Sequence, residues 1–401
     1  MIDFELTEEQ LSIQSMARKF AEREIRPIAE RLDRSQHLLE DFPWSLVQKG
    51  SEVGFRTAAL PIEYDGPGFD FRTWVVLIDE LGYPDVACAK IFSQSWKLCR
   101  AIVTRGTQEQ KDRFLPAFRD DHRFLLGGDG AGPDTVADAH PTSGKSDAGA
   151  RLRAARAGDH YVLNGRKPFI SLGPEAKLLL VNARTDASAG PSEGISTFLV
   201  PRDTPGCTLA GIRDKVGFRM HLQGALDFDN VKLPAENLLG GKEGHAYDEA
   251  VSGAASIEIS AHAMALARAA LDASTKYATE RVQGGKHIIE HQAVALALAD
   301  MYIHLQAGRS LLWRAAWTLD NNRMDRALLI ACKLFFSEAA VRICRDAVEL
   351  FGGSGVMREL PLQKYFRDAL VLLHMDGTNQ SNRVKIGAIL DARVAEGRLS
   401  R

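Results

Sequence analysis

The feature that most constrains the fold of this chain is a change of sequence pattern at two points along its length. Apolar residues recur with helical spacing up to about residue 116 and again from about residue 243 onward. Between residues 124 and 240 glycines are dense and apolar runs are short, with turn signals such as Asn164-Gly165 between them. The pattern predicts an α+β protein with a mainly antiparallel β-domain between two helical regions. We place the domains at residues 1–122, 123–241 and 242–401.

Short motifs at helix ends support this division. The segments 7–10 and 107–110 both read T-x-x-Q, a capping box, so a helix is expected to begin at each threonine. Another helix is expected from about residue 326 to Gly352-Gly353, because glycine suits a helix end. A last helix is expected to begin near Thr378.

The composition excludes several classes of protein. At 401 residues the chain is too long for one compact core. A formal net charge of −2 gives no basic surface for nucleic acid and no reason to bind an anionic membrane. The first residues lack the features of a secretory signal, and no stretch approaches the ~20 apolar residues of a membrane span. The cysteines are odd in number and show no C-x-x-C spacing, which favours reduced thiols and a cytoplasmic protein: Cys88, Cys99, Cys207, Cys332 and Cys344.

Two motifs resemble ligand sites only weakly. His287-Ile-Ile-Glu-His291 has the spacing of an inverzincin metal site, but no third ligand is identifiable, so we expect a solvated polar face and no metal. Gly128-Asp-Gly-Ala-Gly132 resembles a phosphate-binding loop, but Pro133 and an irregular stretch follow it where a dinucleotide fold needs a helix. A flexible loop is the preferred interpretation.

Two glycine-containing segments near the C-terminus are more informative. Phe351-Gly-Gly-Ser-Gly355 either caps a helix or lets a ligand approach the backbone closely. Asp376 stands beside Gly377 and just before the last expected helix, so it suits either a helix cap or a poised base. On the residues alone both alternatives stay open at each position.

Several segments of the chain, taken together and in their order, resemble motifs of the acyl-CoA dehydrogenase family. The matching pieces are FELTEEQ, GTQEQKDRFLP, YVLNGRKPFIS, FDNVKLPAENLLG, YATERVQGGKHIIEHQAVALALADM, FGGSGVMRELPLQKYFRD and MDGTNQ. The resemblance spans nearly the whole chain and implies an N-terminal helical domain, a central β-domain and a C-terminal four-helix bundle. It further implies FAD as cofactor and homodimers or homotetramers in which two protomers build each flavin site.

The resemblance also implies α,β-dehydrogenation of an acyl-CoA thioester. A carboxylate removes the α-proton while the β-hydrogen leaves as hydride to flavin N5, and hydrogen bonds stabilise the charge on the thioester carbonyl. Asp376 falls at the position of the base, and its backbone N–H, with Gly377 beside it, would contact the thioester. Phe169 and Ile170 would lie against the isoalloxazine, with the Ser171 hydroxyl near N5.

The remaining flavin contacts are implied by position in the family's motifs. Arg281, Gln283 and Gln292 would reach the FAD of a partner subunit. Glu349, Gly352 and Gly353 would contact the adenylate end of the cofactor. Thr378 and Gln380 would close over the same FAD.

Several departures from the family's pattern bear on the substrate. The family's T-E-P-x-x-G-S-D loop, which contacts flavin and substrate, is matched either by residues 131–138, which would make Asp138 a substrate contact, or by residues 140–147. Phe169 replaces a tryptophan, and Glu349 replaces a glutamine. Ala255 stands at the second position where some members carry the base, with Glu258 nearby.

The resemblance and its departures leave three hypotheses for function. The first is an acyl-CoA dehydrogenase for a short, branched or otherwise unusual acyl group, with electron-transfer flavoprotein as acceptor. The second is a flavin oxidase of another carbon acid, similar to nitroalkane oxidases, which use aspartate at the base position. The third is a non-catalytic subunit of a heteromeric dehydrogenase.

Overall fold

The N-terminal region consists of helices, several of which begin at residues that cap a helix. The computed structural model describes residues 4–129, 152–189, 194–244 and 246–397. Thr7 accepts a hydrogen bond from Gln10 N and donates its own N–H to Gln10 Oε1, both at 3.2 Å, so the first predicted capping box is confirmed, as is the second at residues 107–110. The helices are α1 (Glu8–Phe20), α2 (Arg26–Arg34), α3 (Trp44–Glu52), α4 (Phe71–Gly82), α5 (Val86–Arg105) and α6 (Gln108–Asp120).

Helix α5 lies at the centre of the molecule. It packs against α4, against the first strand of the sheet and against the long helix α7 (Asp248–Glu280). Its residues from 86 to 99 are all buried. Every polar side chain on this stretch is therefore removed from water and needs a partner inside the protein.

The central region forms one mixed sheet that is mainly antiparallel. Among the described residues its strands are β1 (Leu126–Asp129), β2 (Arg153–Ala157), β3 (His160–Ser171), β4 (Leu178–Arg184), β5 (Ile195–Pro201), β6 (Cys207–Ile212) and β7 (Gln223–Pro234). The order is β1-β4-β2-β3-β7-β6, with β5 paired to β4. The pairs β1–β4 and β2–β4 are parallel, and the other pairings are antiparallel.

The C-terminal region is a helical bundle joined to a small hairpin. Helix α7 is followed by β8 (Val282–Gln283), β9 (Lys286–His287), α8 (Gln292–Asp320), α9 (Arg326–Phe351), α10 (Leu362–Leu372) and α11 (Asn379–Ala395). Helices α7, α8 and α9 pack on one another, and α10 and α11 pack on α9. The predicted order of helical region, β-domain and helical bundle is confirmed. In the described part of the chain no helix is both long and apolar enough to cross a membrane.

Candidate active site

Asp376 lies in the turn between α10 and α11. Asp376 and Gly377 both have positive φ, 47° and 91°, a backbone region that non-glycine residues enter rarely and often at functional sites. The N-cap of α11 is Thr378, whose side chain accepts a hydrogen bond from Ser381 N at 3.2 Å. The interpretation of Asp376 as a helix cap is therefore wrong, and its carboxylate has another partner.

The backbone of this turn is held by side chains of α9 and α11. Lys333 Nζ donates to Gly377 O at 3.0 Å, and Asn382 Nδ2 donates to the same oxygen at 3.2 Å. Burial lowers the pKa of Lys333 to about 8. The N–H of Asp376, in contrast, forms no hydrogen bond with another described residue. The turn is thus held at the carbonyl of Gly377, while the N–H of Asp376 has no partner among the described residues.

The carboxylate of Asp376 meets a polar face of α5. Lys90, Ser93 and Lys97 are spaced i, i+3 and i+7 and so lie on one side of the helix. Lys97 Nζ lies 3.1 Å from Asp376 Oδ2 and 3.4 Å from Oδ1. The Lys97 side chain is 6% exposed, whereas that of Asp376 is 26% exposed. Asp376 is therefore the accessible end of this cluster.

Glu258, on α7, forms the buried end of the same cluster. Its Oε1 lies 2.6 Å from Lys90 Nζ and accepts a hydrogen bond from Ser93 Oγ at 2.5 Å, and its Oε2 lies 3.6 Å from Lys97 Nζ. Burial raises the pKa of this carboxyl, but the ammoniums of Lys90 and Lys97 outweigh burial and lower the pKa to about 2. Glu258 is thus joined to Asp376 through Lys97 and is itself a poor proton acceptor.

His262 lies one turn beyond Glu258 on the same helix. Its Nε2 is 3.1 Å from Ser93 Oγ. Burial lowers the pKa of this imidazole to about 3, so it is neutral at neutral pH.

Helix α5 also connects Asp376 with the sheet. Ser95 Oγ accepts a hydrogen bond from Leu126 N at 3.1 Å, which fixes β1 on the helix. Two residues on, Gly128 pairs with Ser171 at the end of β3. A Cβ on Gly128 would lie 3.2 Å from Leu98 Cδ2, so a larger residue here would push the helix side chain away by a few tenths of an ångström. Helix α5 therefore contacts Asp376 directly and Ser171 through β1.

The other predicted residues of this strand differ in exposure. Ile170 is fully buried, whereas the Phe169 ring is 40% exposed. The guanidinium of Arg213 lies 5.4 Å from the centre of the Phe169 ring. An exposed aromatic ring near the end of β3 is suited to stacking on a planar ligand.

The residues predicted to contact a partner's cofactor lie on the hairpin after α7. Arg281, Gln283 and Gln292 are all exposed, and Arg281 Nη2 donates to Gln283 Oε1 at 3.4 Å.

The two histidines of the segment 287–291 lie in the same region. His291 Nε2 lies 2.9 Å from Gln283 O, and His287 belongs to β9, so the two imidazoles do not share a helix face. Across the described residues no cluster of three or more histidine, cysteine, aspartate or glutamate side chains could hold a metal ion.

The glycines at the end of α9 leave an open backbone surface. Gly352 ends the helix with φ 58°, and a Cβ on Gly352 or Gly353 would have no atom within 4 Å. The rings of Tyr277 and Phe351 stack at 3.9 Å, which joins this surface to the end of α7 that precedes Arg281. Glu349, Thr378 and Gln380 are likewise exposed.

These groups fit FAD by their chemistry. An open ring and a half-buried hydroxyl on β3 suit an isoalloxazine, and exposed arginine, amide and glycine backbone groups suit a dinucleotide. Asp138 and both candidate loops, 131–138 and 140–147, lie outside the described residues.

Sequence reasoning missed the side chains around Asp376, namely Lys90, Ser93, Lys97, His262 and Lys333. The signal was present: Lys90, Ser93 and Lys97 recur on α5 with i, i+3, i+7 spacing, and Glu258 and His262 are spaced i, i+4 on α7.

Comparisons with known proteins agree with this architecture. Models of the acyl-CoA dehydrogenase N-terminal, middle and C-terminal domains match residues 7–121, 138–231 and 253–390. The short-chain specific mitochondrial acyl-CoA dehydrogenase of Rattus norvegicus is 35% identical over 390 residues, which cover 96% of this chain and 91% of that protein. The probable acyl-CoA dehydrogenase YngJ of Bacillus subtilis is 33% identical over 387 residues, covering 96% of this chain and 98% of that protein.

A solved structure supports the same assignment. Butyryl-CoA dehydrogenase of Megasphaera elsdenii superposes with a TM-score of 0.88 at 29% identity, covering 97% of this chain and 99% of that one. The chain belongs to the acyl-CoA dehydrogenase family. It is an FAD-dependent oxidoreductase that dehydrogenates an acyl-CoA thioester between its α and β carbons.

Proposed function

We propose that Asp376 is the catalytic base of this dehydrogenation. The observation that carries the proposal is its placement: an accessible carboxylate in a constrained left-handed turn, beside the buried ammonium of Lys97. The unengaged N–H of Asp376 would donate to the thioester carbonyl and stabilise the negative charge that develops there. Lys333 and Asn382 would keep this N–H in position by holding the carbonyl of Gly377.

The cofactor site is proposed to be built from two kinds of surface. Phe169, Ile170 and Ser171 would hold the isoalloxazine, with the Ser171 hydroxyl near N5. FAD, when bound, supplies the hydride acceptor for the β-hydrogen. The dinucleotide part would be held by the exposed groups of the helical bundle: Arg281, Gln283, Gln292, Glu349, Gly352, Gly353, Thr378 and Gln380.

We further propose that the protein is a cytoplasmic homo-oligomer that passes its electrons to electron-transfer flavoprotein. Five buried, unpaired cysteines favour a reducing compartment. Large apolar side chains are exposed on α8 and α11, which supports a protein partner that covers parts of the helical bundle: Leu296, Tyr302, Ile303, Val384 and Val394. Light scattering tests this, because a monomer would weigh 44.0 kDa.

The base is tested with Asp376→Asn. This variant keeps the shape of the side chain but cannot accept a proton, so we expect FAD and CoA thioesters to bind while anaerobic flavin reduction slows by about 10²–10⁴-fold. Asp112→Asn is the matched control, since Asp112 is exposed on α6 and bonds Gln108 and Tyr64. Reduction by Asp376→Asn at the rate of the control would exclude Asp376 as the base.

A further inference from the structure

The dehydrogenation needs two parts of the molecule to be held on neighbouring atoms of one substrate. The α-carbon and the β-carbon are bonded to each other, so the base and the hydride acceptor must both be in position at the same time. Asp376 belongs to the helical bundle, whereas Ser171 lies at the end of β3 in the sheet. A misplacement of about 1 Å can slow such a reaction ~10²-fold. The contacts that join the bundle to this end of the sheet therefore bear on the rate.

Ser171 lies between two strands, each of which has its own anchor. On one side β1 is fixed on α5, as described above. On the other side Ser171 pairs with Gln223, the first residue of β7. Residues 213–222 precede this strand, and we call them the linking segment. Leu172 N donates to Leu222 O at 2.8 Å, so the end of the linking segment is joined to the residue that follows Ser171.

The linking segment is held on α10 by a buried carboxylate. Asp368, on α10, is fully buried, and its Oδ1 accepts a hydrogen bond from Phe218 N at 2.6 Å. Its Oδ2 lies 2.5 Å from Lys364 Nζ. Helix α10 ends at Leu372, and the turn that contains Asp376 follows. One carboxylate thus joins the linking segment to the helix that leads into this turn.

The backbones of the linking segment and α10 are also in close contact. A Cβ on Gly217 would lie 2.5 Å from Arg367 O, so residue 217 has no room for a side chain. Arg367 Nη1 donates to Val216 O at 2.7 Å. Any change that pushes these two backbones apart would move the linking segment.

The backbone conformation along this path is unusual. Leu172 and Phe218 have positive φ, 53° and 50°. The other non-glycine residues with positive φ in the described part of the chain are all aspartate or asparagine, which enter this region more readily: Asp65, Asn230, Asn322 and Asp376. A bulky residue keeps such a conformation only where its surroundings impose it, often at a functional site. Both of these bulky residues belong to the connection between Ser171 and α10.

We propose that Asp368 is a positioning residue for the dehydrogenation, which rests on the roles proposed above for Asp376 and Ser171. Its carboxylate holds the linking segment on α10 through the N–H of Phe218, and the linking segment holds the backbone of Leu172. These contacts fix the flavin-binding end of β3 relative to the turn of Asp376. The α-proton and the β-hydrogen then leave from a substrate that is aligned for both transfers.

Two variants disturb the connection in different ways. Asp368→Asn has a single side-chain oxygen, so it cannot accept from both Phe218 N and Lys364 Nζ. Gly217→Ala leaves every charge in place. Lys364→Met is the control for the first variant, because it removes the other partner of Asp368 but keeps the acceptor of Phe218 N. Gly387→Ala is the control for the second, since Gly387 is exposed on α11 and a Cβ there would meet no atom within 4 Å.

The first measurement does not depend on activity. Hydrogen–deuterium exchange followed by mass spectrometry, with and without FAD, reports on the backbone amides of the linking segment. They should exchange about tenfold faster or more in Asp368→Asn and Gly217→Ala than in either control. Equal exchange in variants and controls would show that these contacts do not hold the linking segment, and it would overturn the proposal.

The second measurement separates proton removal from hydride transfer. Butyryl-, isobutyryl- and octanoyl-CoA are compared first, and the thioester that reduces the wild-type flavin fastest is the probe. At a saturating concentration of the probe and equal FAD content, anaerobic flavin reduction should be about 10–100-fold slower in both variants than in their controls. Exchange of the α-hydrogens of the probe in ²H₂O is measured with dithionite-reduced enzyme, in which the flavin accepts no hydride. This exchange depends on Asp376 and should stay within about twofold of the wild type.

Two kinetic results would contradict the role of Asp368. One is flavin reduction in both variants at the rates of their controls. The other is an equal fall in α-hydrogen exchange and reduction, because the change would then act on the base itself. If Asp368→Asn does not fold, Gly217→Ala decides. Failure of the base assignment has a different signature, namely α-hydrogen exchange that survives in Asp376→Asn.

Discussion

Two buried glutamates differ in their partners and, as a result, in the direction in which their pKa is shifted. Glu258, between α5 and α7, is fully buried, but Lys90, Lys97 and Ser93 surround it, and its pKa falls to about 2. Glu175, in the turn after β3, is 6% exposed, and neither carboxyl oxygen has a hydrogen-bond partner on another described residue. Burial raises the pKa of Glu175 to about 8.

The comparison teaches that ion-pair and hydrogen-bond partners, and not burial alone, decide whether a buried carboxyl group is ionised. A lowered pKa means that ionised Glu258 stabilises the fold above its ordinary pKa of 4.5, and that this contribution is lost as the pH falls towards 2. A raised pKa has the opposite sign. Folded Glu175 keeps its proton up to about pH 8 while the unfolded chain releases it near 4.5, so the fold loses stability as the pH rises through that window.

The largest expected effect comes from removing the partnered carboxylate. Glu258→Leu leaves Lys90 and Lys97 buried without this counter-charge and should lower the free energy of unfolding by about 3–5 kcal/mol. Urea unfolding followed by circular dichroism measures the loss. The double variant Glu258→Leu, Lys90→Met should recover a large part of it. If Glu258→Leu is as stable as the parent, the carboxylate of Glu258 does not offset the charges of Lys90 and Lys97.

A smaller effect is expected from Ser93→Ala. This change removes the hydroxyl that donates to Glu258 Oε1 at 2.5 Å but leaves both lysines in place. A hydrogen bond to a charged group contributes roughly 1.5–3 kcal/mol, so the loss should be smaller than that of Glu258→Leu. The same urea series checks the order. Equal losses in the two variants would show that the hydroxyl, and not the ion pairs, stabilises Glu258.

At pH 5 the smallest effect is expected from Glu175→Gln, and this effect has the opposite sign and grows as the pH rises. The variant keeps the shape but cannot ionise, so at pH 5 it should differ little from the parent. Above that it should become relatively more stable, by at most about 1.4 kcal/mol for each pH unit up to pH 8. Thermal unfolding of both proteins across this range measures the difference. A difference that does not change with pH would mean that Glu175 ionises normally in the folded protein.

The sequence by itself determined the elements and their order. Capping boxes at residues 7–10 and 107–110, a glycine at the end of α9 and a last helix from Thr378 are all confirmed, because capping and periodicity depend on residues a few positions apart. The resemblance in the segments around Phe169, Arg281 and Asp376 was sufficient to predict the family. Their roles in catalysis and cofactor binding remain predictions.

Only the tertiary structure decided what stands next to Asp376. Lys97 is 279 residues away in sequence, and Glu258 reaches the same ammonium from α7. The polar spacing on α5 was a signal that sequence reasoning missed, and this spacing alone cannot indicate which part of the chain the polar face meets. That depends on how α5, α7 and the turn before α11 pack, and packing joins residues whose separation along the chain carries no information about their distance in space.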